Sequence, residues 1–183
     1  MSFAPAPILE TERLILRIPV SGDFDAWAAF AADEETMRHL GGAQDRALAW
    51  RGMCTVTGAW AVRGFSMFSV VEKATGRWVG RLGPWQPEGW PGTEVGWGLV
   101  RAVWGKGYAT EGATAAMDYA FDVLGWTEAV HTIEPANTGS QAVARRLGST
   151  ILRQARMPAP FQDTVLDVWG QTREQWLARR AMG

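Results

Sequence analysis

At residue 64 the apolar period of this chain changes, and that change limits what the chain can fold into. Upstream, Phe24, Trp27, Ala28 and Ala31 fall at helical spacing, with Ser21 as a candidate N-cap. A short helix is predicted from Glu34 to Leu40, before Gly41-Gly42, and a longer one over residues 47–62, weakening at Gly58. Downstream, "GFSMFSVVEK" (64–73), "GRWVGRLGPW" (76–85) and "TEVGWGLV" (93–100) read as strands, the first two joined by the hairpin turn "KATG".

An earlier strand is predicted over residues 13–19, where Leu14 and Leu16 alternate with Ile15 and Arg17. After the meander the order alternates. Ala109, Ala113, Ala116, Met117 and Ala120 give a long helix a narrow apolar face suited to close packing on a sheet. The strand "AVHTIE" (129–134) follows, then the helix "TGSQAVARRLG", closed by Gly148. Strands over 150–156 and 163–169 come next, and Thr172-x-x-Gln175 opens a last helix as a capping box. The chain therefore reads as α/β (α+β): a mixed sheet with helices on both faces, in one domain over residues 1–183.

Charge and composition narrow the function classes. The net charge is −1 with no block of like charge, which argues against a nucleic-acid footprint. The lone Cys54 excludes an intramolecular disulfide and a Cys-rich zinc site, and with only His39 and His131 beside it no catalytic metal is expected. "MSFAPAPILE" lacks the basic start and apolar core of a signal peptide, and no apolar stretch is long enough for a bilayer. A cytoplasmic protein without a membrane partner is expected. The eleven tryptophans include Trp85, Trp90, Trp97 and Trp104, spaced to wall a cleft or to fill a core.

The stretch "VRAVWGKGYATEG" (100–112) leaves a strand, places Gly105 and Gly107 around Lys106, and begins a helix. Unpaired amides at a helix start form a positive concavity, and the two glycines remove side chains that would keep an anion from residues 105–110. Thr110 adds a hydroxyl. The alternative is a tight corner with no ligand. A P-loop is excluded, because Gly107 stands where Ser or Thr must follow Gly-Lys. The dinucleotide fingerprint is excluded too, because Thr110 stands at its third glycine. Other nucleotide-bearing cofactors remain, coenzyme A foremost.

"EVGWGLVRAVWGKGYATEG" resembles the cofactor segment of the GNAT superfamily of N-acetyltransferases, whose signature is Gln/Arg-x-x-Gly-x-Gly/Ala. Gly107 and Ala109 match its last two fixed positions, and Trp104 replaces Gln or Arg. The form is similar to the branch of the RimJ and RimL ribosomal-protein N-terminal acetyltransferases. "ANTGSQAVARRLG" resembles the family's second motif through Asn137, Ser140, Leu147 and Gly148, with Ser149 in place of an aromatic. "VWGQTREQW" also resembles this branch, with Trp169 for its frequent tyrosine. The likeness runs from about Leu9 to Trp176.

That resemblance implies the GNAT fold, a mostly antiparallel sheet of about seven strands flanked by helices, and acetyl-CoA as co-substrate. It places main-chain groups of Leu99 and Val100 on the pantetheine arm. The pyrophosphate would sit on Trp104, Gly105, Lys106, Gly107, Tyr108, Ala109 and Thr110, and an arm amide on Asn137, with Ser140 beside it. Arg145 or Arg146 either reaches the adenosine 3′-phosphate or is a solvated helix face. Strand amides near Leu99 suit the developing oxyanion, at roughly 3–4 kcal/mol per well-placed donor. Glu94, beginning the cofactor strand, is the implied general base; otherwise it is a strand-end carboxylate paired with an arginine. The family's frequent tyrosine acid is replaced by Ala144, leaving Ser140 to protonate the thiolate. The acceptor end is assigned to the Ala43 region, Trp85–Trp90 and Met157–Phe161, which disfavours a polycation and suits a small-molecule amine or a peptide N-terminus. A homodimer is left open. The competing class is a non-catalytic acyl-CoA-binding module.

Overall fold

The computed structural model describes residues 7–159 and 161–182. The alternation read in the first strand is realised in β2 (Leu14–Arg17), where Leu14 and Leu16 are fully buried. A two-residue strand, β1 (Leu9–Glu10), pairs antiparallel with β2 and raises the sheet to eight strands instead of about seven. Two residues carry no period, so no pattern announces such a strand.

Ser21 is not a helix cap. Residues Ser21–Asp23 form a 3-10 turn, and α1 (Phe24–Ala32) begins after it. Asp23 organises this corner instead. Its buried carboxylate holds Arg17 at 2.7 Å, accepts the Val20 N–H at 3.0 Å and accepts the Ser69 hydroxyl at 2.7 Å. The next helix, α2 (Glu34–Met37), is shorter than predicted and is capped by Asp33, which accepts the Thr36 N–H at 2.8 Å. α3 (Arg46–Arg63) runs through Gly58 and stops at Gly64, in the left-handed conformation. The buried stripe Met53, Val56 and Trp60 carries it past Gly58, whose intrinsic cost is only about 1 kcal/mol.

β3 (Phe68–Glu72) and β4 (Trp78–Trp85) form the expected hairpin, with Gly76 at φ +68°. β5 (Glu94–Leu99) pairs antiparallel with β4 over its whole length. A 3-10 turn at Arg101–Val103 leads into α4 (Tyr108–Asp122). β6 (Glu128–Ile133), α5 (Thr138–Leu147), β7 (Thr150–Arg156), β8 (Val165–Thr172) and α6 (Arg173–Met182) complete the chain. The capping box is present: Thr172 N–H donates to Gln175 Oε1 at 2.9 Å, and Gln175 N–H to Thr172 Oγ1 at 3.3 Å.

The strand order is β1-β2-β3-β4-β5-β6-β8-β7, antiparallel except for β5 beside β6. α4 lays Ala113, Ala116, Met117 and Ala120 on one face, against Leu14, Leu82 and Val95. Gly112 permits the approach, since a Cβ there would lie 3.0 Å from Leu82 Cδ1. The other face is covered by α1, α2 and α3, whose core contains Trp27, Phe30, Met37, Met53 and Met67. Along β5, Val95 and Leu99 therefore point to α4, while Glu94, Gly96 and Gly98 point to the α1–α3 side. Among the described residues no helix is long and apolar enough to cross a membrane.

Candidate active site

The one parallel junction in the sheet is nearly absent. β5 and β6 share a single register pair, Glu94 with Val130, supported by the Val130 N–H to Thr93 carbonyl bond at 2.9 Å. The next rung of a parallel ladder would run from Thr132 N–H to the Val95 carbonyl. Side chains intercept both groups. Thr132 N–H donates to Glu94 Oε1 at 3.0 Å, and the Val95 carbonyl accepts from His131 Nδ1 at 2.7 Å. The strands then part.

Val100 N–H donates to the Val79 carbonyl at 2.9 Å, so antiparallel alternation turns the main-chain groups of Trp97 and Leu99 towards the opening. This separates the two residues expected to meet the pantetheine arm. Leu99 faces the gap; Val100 does not, because its carbonyl is also taken, by Val103 N–H at 3.1 Å. The Leu99 carbonyl accepts the indole N–H of Trp104 at 2.7 Å. Trp104, standing at the motif's Gln or Arg position, thus reaches back to β5.

A cavity of about 180 Å³ opens at the parting and draws its lining from both sheet faces. Trp97, Asn137 and Ser140 line it on the α5 side; Arg81, Trp85, Trp90, Glu94 and Gly96 line it on the other. Gly41, Met157 and Phe161 close the far end, so the aromatic wall assigned to the acceptor is assembled, with Gly41 in place of Ala43 itself.

Glu94 is 6% exposed. Its carboxylate accepts Thr132 N–H and Thr132 Oγ1 at 3.0 Å and the Trp90 indole N–H. Burial pushes its pKa up, against the pull of these hydrogen bonds and the nearby charge of Arg81. A carboxylate has about four lone-pair sites, so these three donors leave Oε2 able to take a proton. Arginine pairing, the other reading of Glu94, is not formed as a contact: Arg81 acts on it only through its field.

The second motif is built around α5. Asn137 Oδ1 caps the helix by accepting Ser140 N–H at 3.0 Å, which leaves its amide NH2 for other partners. Ser140 Oγ accepts the Trp97 indole N–H at 3.2 Å, leaving the hydroxyl proton free to donate. Ala144, at the place of the family's tyrosine, is fully buried with Ile133 and Trp169. Arg145 lies over the Trp169 ring, 5.1 Å from its centroid, and Arg146 is exposed.

In the turn, Gly105 and Gly107 adopt φ +73° and +81°, and Gly107 is the N-cap of α4. Among the described residues, the amides of Gly105, Gly107, Tyr108, Ala109 and Thr110 have no hydrogen-bond partner, whereas Lys106 N–H bonds the Val103 carbonyl at 3.4 Å. The Tyr108 side chain turns inward and donates to Glu72 Oε1 at 2.7 Å, so only its main chain is offered. The Lys106 side chain is exposed, and its carbonyl accepts from Arg13 Nη1 at 2.9 Å. Arg13 also pairs with Glu111 at 2.6 Å, tying the residue before β2 to the first turn of α4.

Several participants carry no signature in the sequence. Thr132 and the Trp90–Glu94 bond arise only from strand register. Arg81 sits in an alternating strand, where an arginine reads as an outward residue. Ser149, the departure from the motif's aromatic, has a defined partner: its hydroxyl bonds His131 Nε2 at 3.0 Å and accepts Gln171 Nε2 at 2.9 Å. This chain suits a neutral imidazole donating from Nδ1.

Burial lowers the His131 pKa from its ordinary 6.5 to about 4. Between those values the unfolded chain binds a proton that the native one excludes. Stability should therefore be complete above about pH 6.5 and fall by about 3 kcal/mol as pH drops towards 4. His131→Asn should flatten this slope in urea melts taken between pH 7.5 and 5, a range set around the ordinary His pKa of about 6.5. An unchanged slope would assign the acid lability to other groups.

A family model described as an acetyltransferase (GNAT) domain matches residues 13–150. The crystal structure of an acetyltransferase from Agrobacterium tumefaciens str. C58 superposes with TM-score 0.82 at 32% identity, covering 94% of this chain and 98% of that one. YkkB of Bacillus subtilis (strain 168) is 36% identical over 87 residues, 46% of this chain and 51% of its own length. The FsC-acetyl coenzyme A-N(2)-transacetylase of Aspergillus fumigatus is 34% identical over 89 residues, 46% and 38% of the two chains. The matches thus span about half or less of these curated relatives. Mycobacterium smegmatis RimJ in complex with CoA-disulfide shares the fold, at TM-score 0.71 and 19% identity over 96% of this chain.

Proposed function

The chain belongs to the GNAT acetyltransferase family, and from that premise we propose that it transfers an acetyl group from acetyl-CoA to a primary amine by direct attack on the thioester. The observation that carries this reading is the interrupted β5–β6 ladder, with a buried carboxylate on one side of it and a glycine-opened amide cradle beyond its end. The cradle fits a pyrophosphate: a Cβ at Gly105 would meet nothing within 4 Å, and one at Gly107 only Arg13 Nη2 at 3.4 Å. The amides of Gly105, Gly107, Tyr108, Ala109 and Thr110 would hold the phosphates, aided by the α4 dipole. Leu99 N–H and the Asn137 amide would hold the arm.

Acetyl-CoA supplies an activated acyl group on a thiolate of ordinary thiol pKa, about 8.5. The protein has three tasks. Glu94 takes a proton from the acceptor amine as it attacks. The N–H of Trp97, turned towards the opening, opposes the charge growing on the acyl oxygen. Ser140 donates a hydrogen bond from its free hydroxyl to the departing sulfur, which leaves as the thiolate and takes its proton from solvent. No stronger acid is needed there, which is consistent with alanine at position 144.

Acetyl-CoA should raise the melting temperature by several degrees and NADH should not, since a ligand at a hundredfold excess over Kd adds about 2.7 kcal/mol. Thiol release against a panel of amines and peptides then separates a catalyst from a module that only senses the cofactor. A melting temperature unmoved by millimolar acetyl-CoA would overturn the cofactor assignment, and binding without release would leave the sensing module.

A further inference from the structure

The α1–α3 side of the cavity holds a cation without a matching anion. Arg81 on β4 is the cross-strand partner of Gly98 and shares its face of the sheet, with Gly96 beyond. Met67, Leu40 and Phe30 pack into the room that these glycines leave. A Cβ on Gly96 would lie 2.9 Å from Met67 Cε, and one on Gly98 3.0 Å from both Leu40 and Phe30. Arg81 thus lines the same cavity as Glu94.

Its partners do not satisfy it. Arg81 Nη1 lies 2.8 Å from the Met67 sulfur, and the guanidinium stands 5.8 Å from the Trp27 ring centroid. A thioether is a weak acceptor, whereas a guanidinium carries five donors in a planar fork. Among the described residues no carboxylate comes within 4 Å of it, although Arg13, Arg17, Arg38, Arg46 and Arg101 each have one. Burial pulls the Arg81 pKa down, and the Glu94 charge opposes this. A half-buried guanidinium with most of its fork unused is shaped for an anion that arrives with the ligand.

Resting on the acetyltransfer reading, we propose that Arg81 anchors a carboxylate on the acceptor, so that the substrate class is small amino carboxylates and not polypeptide N-termini. Such a molecule carries its amine to Glu94 and its carboxylate to Arg81. Trp85, Trp90, Met157 and Phe161 then receive an apolar side chain. A polypeptide N-terminus has an amide where the carboxylate should be, and leaves the fork unpaired.

The test compares methionine with 3-(methylthio)propylamine, identical but for the carboxylate, and with methionine amide as the peptide mimic. Wild-type kcat/KM should favour methionine over both by roughly ten- to a hundredfold, the scale of one charge-assisted pair. In Arg81→Met that ratio should collapse towards one, through KM, and Arg81→Lys should restore part of it. Equal use of the three acceptors by wild type, or a preference that survives in Arg81→Met, overturns the assignment. Absence of acetylation of every amine would count against the catalytic reading alone. The anchor is then judged by binding, read as tryptophan fluorescence with CoA present. N-acetylmethionine should bind wild type but not Arg81→Met, while the carboxylate-free acetamide binds neither. Absent or Arg81-independent binding overturns it.

Discussion

Glu94→Gln is expected to lower kcat by about 10²–10⁴-fold while the affinity for acetyl-CoA stays as it was, the usual scale for losing a general base. The carboxamide keeps size and shape and loses proton acceptance. The structure adds a second consequence. Thr132 N–H, Thr132 Oγ1 and the Trp90 indole N–H all converge on this carboxylate. A glutamine must turn its NH2 towards the Thr132 or the Trp90 donor, so one buried bond is lost at about 1–3 kcal/mol. A lower melting temperature therefore does not distinguish a base from a structural carboxylate. The pH profile does. The α-amine of a peptide has a pKa of about 8, that of a free amino carboxylate lies higher because its own carboxylate favours the ammonium, and either becomes neutral unaided above its pKa. If Glu94 is the base, the defect shrinks as pH rises through that value. A defect that is flat across pH, or wild-type kcat in the variant, removes Glu94 from the chemistry.

Gly107→Val should weaken CoA binding by more than about a hundredfold, the loss of at least two charge-assisted hydrogen bonds. Gly107 caps α4 at φ +81°, where a β-branched residue is strained; its own amide belongs to the cradle, and a Cβ there would stand 3.4 Å from Arg13 Nη2. Strain and obstruction can be told apart. Asparagine tolerates the left-handed conformation, so Gly107→Asn relieves most of the strain while still adding a side chain beside the cradle amide. Calorimetric titration with CoA should find both variants folded and both weak. Wild-type Kd in either folded variant would reduce the turn to a corner.

The parts of the molecule that repeat were readable in advance, and the parts that occur once were not. The β3–β4–β5 meander, the alanine face of α4 and the cap of α6 each follow from a period or a paired local signal. So do the glycines of the turn before α4, because positive φ at a helix start leaves a compositional trace. The missed features depend on register or on tertiary competition. β1 exists because β2 offers it an edge. Asp23 organises the corner in place of Ser21 because Arg17 on the preceding strand and Ser69, distant in sequence, converge on its carboxylate. Motif position pairs Val100 with the arm, yet strand alternation turns it towards β4. Arg81 is legible only once Gly96 and Gly98 are known to lie beside it, a fact of sheet order and not of spacing.

The near-absent junction between β5 and β6 also has a consequence for how this protein avoids its own kind. An edge strand with unsatisfied main-chain groups invites pairing with another chain, and folded proteins shorten, charge or cover such edges. Here the outer edges are a two-residue β1 and a β7 that carries Arg153 and Arg156. The receptive edge is instead inside the sheet, on the gap-facing side of β5. A second copy would have to thread a strand into the middle of the molecule to reach it. The fold thus keeps an open main-chain edge in its interior and withholds it from intermolecular β-sheet aggregation.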